Sequence, residues 1–346
     1  MAARAPAPAP PGNRPSPRLP PSLKPKRTSR PGKPATLGDW LPWAERLYAR
    51  HHVALGQVAT TVHDEALYLL LRTLNLPLDS KPAVLRRKLT ADEQARVAEV
   101  FRRRIEEHVP AAYLTREAFL GEHRFHVDER VIIPRSYFLE LLPQIADLVE
   151  CRAGSLIPPR AKKGGVSDPA LQRKPVRRAV DVCTGSGCLA ILLARQFPGA
   201  KVDAIELSPA ALAVAKFNVA THHLMKRVKL FHSDVFDAVP PVKYDLILSN
   251  PPYVPTRELR GLPAEFKQEP AMALDGGKDG LDIIRKLLRQ ARDRLQPHGI
   301  MVLEVGGLRA AMDEAFPELD LHWLHTEDGE DCVCLVQSAR LARGSR

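Results

Sequence analysis

The chain has 346 residues, 45% of them hydrophobic and 26% charged, the composition of a globular protein with room for two domains and a sizeable core. No run approaches 18 apolar residues, which excludes a membrane-spanning helix, and five cysteines without a signal-peptide pattern exclude a disulfide scaffold and point to a reducing, cytoplasmic compartment. Lys and Arg exceed Asp and Glu by 11, but residues 1–38 carry +8 and residues 151–178 carry +7, which leaves the rest at −4. A nucleic-acid-binding fold more often carries its basic charge on folded elements, so this distribution argues against one.

Residues 1–36 form a tail of proline mixed with Arg, Lys and Ser. Its composition predicts disorder, because it buries too little apolar surface to offset ordering entropy. A transit peptide has a similar charge, but proline at this density forbids the amphipathic helix such a peptide needs. Residues 37–109 read as a small helical bundle, with Trp40 and Trp43 as core anchors of its first helix. Ala66, Leu67, Leu70, Leu71 and Leu74 recur at helical spacing, and Thr90 with Glu93 forms a capping-box pattern ahead of Val97, Val100, Phe101 and Ile105. Over 110–135 the period changes: Phe119, Phe125, Val127, Val131 and Ile133 predict a β-hairpin linker that Pro134 stops. A helix is predicted from Tyr137 to Val149, and residues 152–178 read as a second disordered, basic insertion.

From residue 178 strands and helices alternate, which predicts a mostly parallel sheet in an α/β domain spanning 136–346. Strands are expected at Ala179–Val182, Val202–Ile205, Val228–Phe231, Tyr244–Leu248 and Ile300–Val305, with two more near Leu321–Leu324 and Cys332–Val336. Helices are expected from Gly187 to Phe197, after Ser208-Pro209, and along a face formed by Leu281, Ile284, Leu288, Ala291 and Leu295.

Four loops carry the chemistry. In Asp181-Val182-Cys183-Thr184-Gly185-Ser186-Gly187 a strand runs through a glycine turn into a helix, where backbone N–H groups approach a ligand and the helix start favours negative charge. It is not the dinucleotide fingerprint, because Ala190 stands where that pattern needs glycine. Glu206 ends the second strand, placed to accept hydrogen bonds from ribose hydroxyls, and Asp234, followed by Val235, ends the third, placed for the amino group of an adenine. Asn250-Pro251-Pro252-Tyr253 follows the fourth strand. The prolines hold a rigid extended chain without N–H donors, so their carbonyls and the Asn250 side-chain oxygen converge as acceptors beside an aromatic face, a site suited to a planar NH2 group. Cys183 and Cys188, Cys332 and Cys334, and the doublets His51-His52 and His222-His223 lack metal-ligand spacing, so no metal is expected and the histidines read as solvated.

These loops together resemble S-adenosylmethionine-dependent methyltransferases that act on amide or exocyclic nitrogen. Pro110 to Thr115, the hairpin ending Val131-Ile132-Ile133-Pro134-Arg135-Ser136, Gln268-Glu269-Pro270 and Gly276 to Leu281 extend the resemblance to the protein-glutamine N5-methyltransferases, over roughly residues 60–337. The resemblance implies a seven-stranded Rossmann-like catalytic domain behind a small helical domain and a hairpin linker. It also implies S-adenosylmethionine held by Asp181, Cys183, Thr184, Gly185, Ser186, Gly187, Glu206, Asp234, Val235 and Asn250. The substrate glutamine would lie on Asn250, Pro251, Pro252 and Tyr253, with Asn250, Pro251 and Tyr253 as the catalytic set. Pro134-Arg135-Ser136-Tyr137-Phe138-Leu139-Glu140, Cys183-Thr184-Gly185, Val127 to Val131 and Thr73 to Pro77 look like the branch that methylates large-subunit ribosomal protein L-three, rather than the release-factor branch. Release factor stays open as a substrate, and DNA adenine is disfavoured by the acidic body. A ribosome-assembly factor binding RNA weakly through the two basic segments is the non-enzymatic alternative.

Overall fold

A computed structural model describes residues 34–150, 174–329 and 331–342. The first 33 residues and most of the basic insertion, both expected to be disordered, lie outside the described residues.

The chain begins with helices α1 (Trp40–His51), α2 (Val62–Thr73), α3 (Ala91–Glu106) and the short α4 (Ala111–Thr115). Each start has a local cause. The Thr61 hydroxyl accepts the Asp64 N–H at α2, and at α3 Thr90 and Glu93 satisfy each other's backbone N–H in a capping box. The apolar faces meet around Trp40, which stacks on Phe101 at 5.8 Å while Trp43 packs edge-on against both rings. Both tryptophans thus anchor the first helix as expected.

Strands β1 (Glu117–Leu120) and β2 (His123–His126) pair antiparallel. The expected strand character does not continue through Val127–Ile133. That stretch turns at Glu129–Arg130, where the Val131 N–H bonds the Asp128 carbonyl, and joins no sheet, because Val127, Val131 and Ile133 bury against the catalytic core instead of a third strand. His222 is likewise not merely solvated: its ring packs on Phe125 at 5.1 Å and its Nε2 meets the Arg124 carbonyl at 2.9 Å, tying the hairpin to the next domain. Burial lowers its pKa below the ordinary value.

Helix α5 (Phe138–Glu150) leads to the insertion, and the Lys174 N–H returns to the Glu150 carbonyl at 3.2 Å, so the insertion leaves and rejoins the body at one point. Then follow β3 (Arg178–Val182), α6 (Cys188–Gln196), β4 (Lys201–Glu206), α7 (Pro209–Thr221), β5 (Val228–His232) and β6 (Tyr244–Ser249). After them come α8 (Asp282–Ala291), β7 (Leu295–Glu304), α9 (Arg309–Ala315), β8 (His322–Leu324), β9 (Val333–Gln337) and α10 (Ser338–Leu341). Leu295, expected on the helix face, instead opens β7. The helix ends at Ala291, and the Tyr244 N–H takes the Arg294 carbonyl, which draws the next residue into the sheet.

The seven strands lie in the order β5-β4-β3-β6-β7-β9-β8, parallel from β5 to β7 and antiparallel at β9. One apolar layer covers each face, built on α6 and α7 on one side and on α8 and Met312 on the other. The winding reverses between β3 and β6. Loops leaving the carboxyl ends of those two neighbours therefore diverge and open a crevice between them.

Candidate active site

That crevice is a cleft of about 890 Å³, within the range of small-molecule sites. Cys183, Thr184, Gly185 and Ser186 wall it after β3, Glu206 at the end of β4, Asp234 and Val235 after β5, and Asn250 to Tyr253 after β6. Most residues expected in the site thus share one cavity. Asp181 and Gly187 do not line it. A Cβ on Gly187, whose φ is +80°, would stand 3.2 Å from Ala215, so this glycine serves the close approach of α6 to α7 and not of a ligand. Asp181 lies behind the glycine loop, accepting the Thr184 hydroxyl at 2.5 Å and the Ala190 N–H at 3.0 Å. Full burial pushes its pKa up to about 7, and its Oδ1 has no partner among the described residues.

Glu206 braces the same loop from the front. One carboxylate oxygen takes the Gly185 N–H and the other the Ser208 N–H, each at 2.8 Å, and each oxygen keeps a further lone pair. Asp234 is half exposed and paired with Lys286 at 2.8 Å. Cys183 (φ +63°) and Val235 (φ +52°) hold left-handed backbone without being glycine. That conformation is costly for a β-branched residue, and here it lies on the cleft wall.

Around Asn250 three segments converge. The Asn250 amide donates to Glu304 at 2.9 Å, and Ser136 donates to the other oxygen of the same carboxylate at 2.5 Å. Burial pushes the Glu304 pKa up to about 7, against the pull of those donors. Tyr253 rests its ring on Gly306, where a Cβ would come within 2.5 Å of it, and burial raises its phenol to about 12. Gly280, at φ +85°, runs so close beneath that a Cβ would lie 2.4 Å from the Tyr253 carbonyl, so the glycine-rich segment 276–280 is a brace for the Asn-Pro-Pro-Tyr turn.

The outer wall comes from the segment between β6 and α8. Glu269 receives both arms of Arg135 at 2.6 Å, the Ile133 N–H and the Gln57 amide, while Arg135 lies over the Phe266 ring at 5.1 Å. Deeper in, Arg104 on α3 holds Glu65 at 2.7 Å and Glu265 at 3.3 Å, and His108 adds a contact to Glu265 at 2.9 Å. These ties fasten the helical segment to the cleft wall, and Gly56 from that segment reaches the cavity.

Sequence reasoning missed Glu304 and Ser136 as site residues. Glu304 had a signal: an acid near the end of an otherwise apolar strand, Ile300 to Val305, beside the strand that leads to Asn250. Among the described residues no group of His, Cys, Asp or Glu could hold a metal ion, and no helix is long and apolar enough to cross a membrane.

A switch-point cleft with a braced glycine loop and an Asn-Pro-Pro-Tyr wall, on a seven-stranded sheet, defines a Rossmann-like methyltransferase, and the methyltransferase small domain family matches residues 169–265. Ribosomal protein uL3 glutamine methyltransferases are similar over nearly the whole chain. The protein from Burkholderia pseudomallei is 43% identical over 91% of this chain and 98% of its own length. That from Bordetella pertussis is 43% identical over 88% and 96%, and that from Neisseria gonorrhoeae 40% over 88% and 95%. The chain belongs to the family of ribosomal protein uL3 glutamine methyltransferases. Among solved structures, the catalytic domain of hMettl16 is similar at 17% identity, covering 80% of this chain and 91% of that one with a TM-score of 0.47.

Proposed function

We propose that the chain binds S-adenosylmethionine in this cleft and methylates the side-chain amide nitrogen of a glutamine in uL3, the large-subunit protein L-three. The observation that supports it is that the glycine loop after β3 and the Asn-Pro-Pro-Tyr turn after β6 open into one cavity. The residues present fit the cofactor. The N–H-rich turn at Thr184–Ser186 and the Glu206 carboxylate suit an amino acid and ribose end, and the wall of Leu207, Val235 and Ile283 suits an adenine, with Asp234 at its edge. The acids Glu206, Asp234 and Glu304 suit a group carrying a positive sulfonium. When bound, S-adenosylmethionine supplies an activated methyl group.

The chain's own residues orient the target. An amide nitrogen is a poor nucleophile because its lone pair is delocalised into the carbonyl. The Asn250 side-chain oxygen and the Pro251 carbonyl accept its two N–H groups, and the Tyr253 ring covers one face. Holding the amide in this way contributes through orientation, in favourable cases roughly 7–11 kcal/mol. No proton abstraction need precede transfer, since the nitrogen becomes acidic only once it carries the methyl group, and its proton then passes to water. Exposed Met272 and half-buried Phe266 form an apolar rim suited to a protein segment, and the helical segment 37–109 serves its recognition.

Transfer to unmethylated uL3, with release factor as comparison, tests the reading. Asn250→Ala is expected to lower turnover about 100-fold or more with cofactor affinity nearly preserved. Near-normal transfer by that variant rejects the orienting role, and preference for release factor rejects the uL3 assignment.

A weak RNA contact belongs to the same reading, as does a cytoplasmic location. The basic tail and insertion lie outside the described residues, but a second cleft supports the contact. It runs along β5 beside α7, and Arg178, Lys201, Lys216, Lys226, Arg227 and Lys229 are among its lining residues. Asp203 faces these cations and is already paired with Arg178 at 2.9 Å.

A further inference from the structure

Asparagine is a weak positioning device on its own. Its amide is nearly symmetric in shape, and a half-turn about the last bond exchanges acceptor for donors. If the Asn250 amide turned, the cleft would present two N–H groups to a substrate that itself needs acceptors. Something must choose the orientation, and the Pro-Pro backbone beside it has no N–H with which to do so.

Glu304 stands where that choice is made. An ionised carboxylate only accepts, so the amide nitrogen of Asn250 is the half that can face it, at 2.9 Å. That leaves Asn250 Oδ1 on the other side, with no donor from the described residues. The carboxylate is itself fixed. Ser136 donates to its second oxygen at 2.5 Å and accepts the Phe138 N–H at 3.1 Å, and the Tyr137 N–H adds a donor, all from the turn that opens α5. Parallel pairing of β6 with β7, Ser249 beside Leu303, puts the next residues, Asn250 and Glu304, side by side at the strand ends.

We infer that Glu304 is a positioning residue for glutamine methylation: held by Ser136, it locks the Asn250 amide with its oxygen toward the substrate. The inference rests on the proposed role of Asn250 as substrate acceptor. It has a consequence for pH. A neutral carboxyl carries its own donor and tolerates either orientation of the amide, so the lock exists only in the ionised form. The groups facing Glu304 are Ser136 and the Tyr137 N–H before α5, Asn250 after β6, the Arg135 guanidinium and the Tyr253 phenol. Burial is the largest influence on it and raises its pKa to about 7, so the lock weakens as pH falls through neutrality.

The test measures kcat and KM for methylation of uL3 from about pH 6 to about pH 9, with cofactor affinity by calorimetry and melting curves as a folding control. Glu304→Ala is expected to lower kcat about 10- to 100-fold, with cofactor affinity within about threefold. Glu304→Gln carries donors of its own, like the neutral carboxyl, so it is expected to hold kcat near the wild type's low-pH level across the range and to lose the acid limb near neutrality. The double variant with Asn250→Ala is expected to be no worse than Asn250→Ala alone, because both changes remove one device. Full kcat in Glu304→Ala, or losses that multiply in the double variant, overturns the inference. If Glu304→Ala does not fold, the Gln variant decides: an acid limb that persists unchanged in it also overturns the inference. Normal transfer by Asn250→Ala would reject instead the acceptor role beneath it, whereas an inactive Asn250→Ala beside a fully active Glu304→Ala rejects the lock alone.

Discussion

Two groups of buried acids lie within this fold, and they are treated in opposite ways. In the seam between the helical segment and the cleft wall, every buried carboxylate has an arginine: Glu65 and Glu265 share Arg104, and Glu269 holds Arg135. Burial opposes ionisation at Glu265, yet donors from His108 and the Ala54 N–H keep its pKa below the ordinary value. Glu304 at the cleft and Asp181 behind its glycine loop take hydrogen bonds from hydroxyl, amide and backbone groups and, among the described residues, no direct salt bridge, and burial raises both to about 7. The difference teaches where charge is structural and where it is kept adjustable. Paired charge fastens two parts of the chain, whereas an unpaired buried acid sits near its own titration at a site that needs chemistry.

The sharpest way to break this comparison is Arg104→Ala, which leaves two carboxylates buried in the seam without their shared cation. A loss of about 3–5 kcal/mol is expected in denaturant unfolding. A loss below about 1 kcal/mol would mean that the seam is wet and its charges are not structural.

Next in size is the pH dependence of Asp181→Asn. A carboxyl whose folded pKa is raised stabilises the fold fully below its unfolded pKa, near 4, and that stabilisation is lost as pH rises through about 7. The difference in stability between wild type and variant should therefore shift against the wild type between those limits, by on the order of 2–4 kcal/mol. Parallel pH–stability curves for the two proteins would remove Asp181 from the adjustable class.

Smaller still is Arg135→Lys, which keeps the charge but loses the two-armed grip on Glu269. About 1–2 kcal/mol of destabilisation, with a raised KM for uL3, separates geometry from charge in the seam. At the bottom of the scale is the exposed basic cleft. Replacing Lys201, Lys226 and Lys229 together with Glu should change stability by only about 0.5 kcal/mol. It should reduce the salt dependence of binding to a short RNA, read by fluorescence anisotropy, by about one unit of slope for each phosphate no longer neutralised. An unchanged slope rejects a contribution from this cleft.

Much of the architecture was legible because its signals are local. The caps at Thr90 and Ser208, the alternation after residue 178 and the apolar strands all act within a few residues, and the elements formed where those signals stand. The loops that ended strands β3, β4, β5 and β6 could be read as one site because parallel winding sends their carboxyl ends to the same edge. Leu295 shows the limit. Its spacing fits the helix face, but the Arg294 carbonyl bonds to Tyr244, some fifty residues away in sequence, and the sheet takes it.

By itself, then, the sequence determined the family, the order of elements and the identity of the cleft loops, since each depends on residue type and short-range spacing. Only the tertiary structure decided which residues stand behind the site. Gly187 faces α7 and Asp181 lies under the loop, away from the cleft, and Gly280 braces Tyr253 from beneath. Glu304, Ser136 and Asn250 come from three distant segments, and no periodicity could announce their meeting. Two strand ends lying side by side, and a helix start packed over them, bring a carboxylate, a hydroxyl and an amide within hydrogen-bond reach. Hydrogen bonds of that kind depend on distances of a few tenths of an ångström, which packing sets and sequence spacing does not.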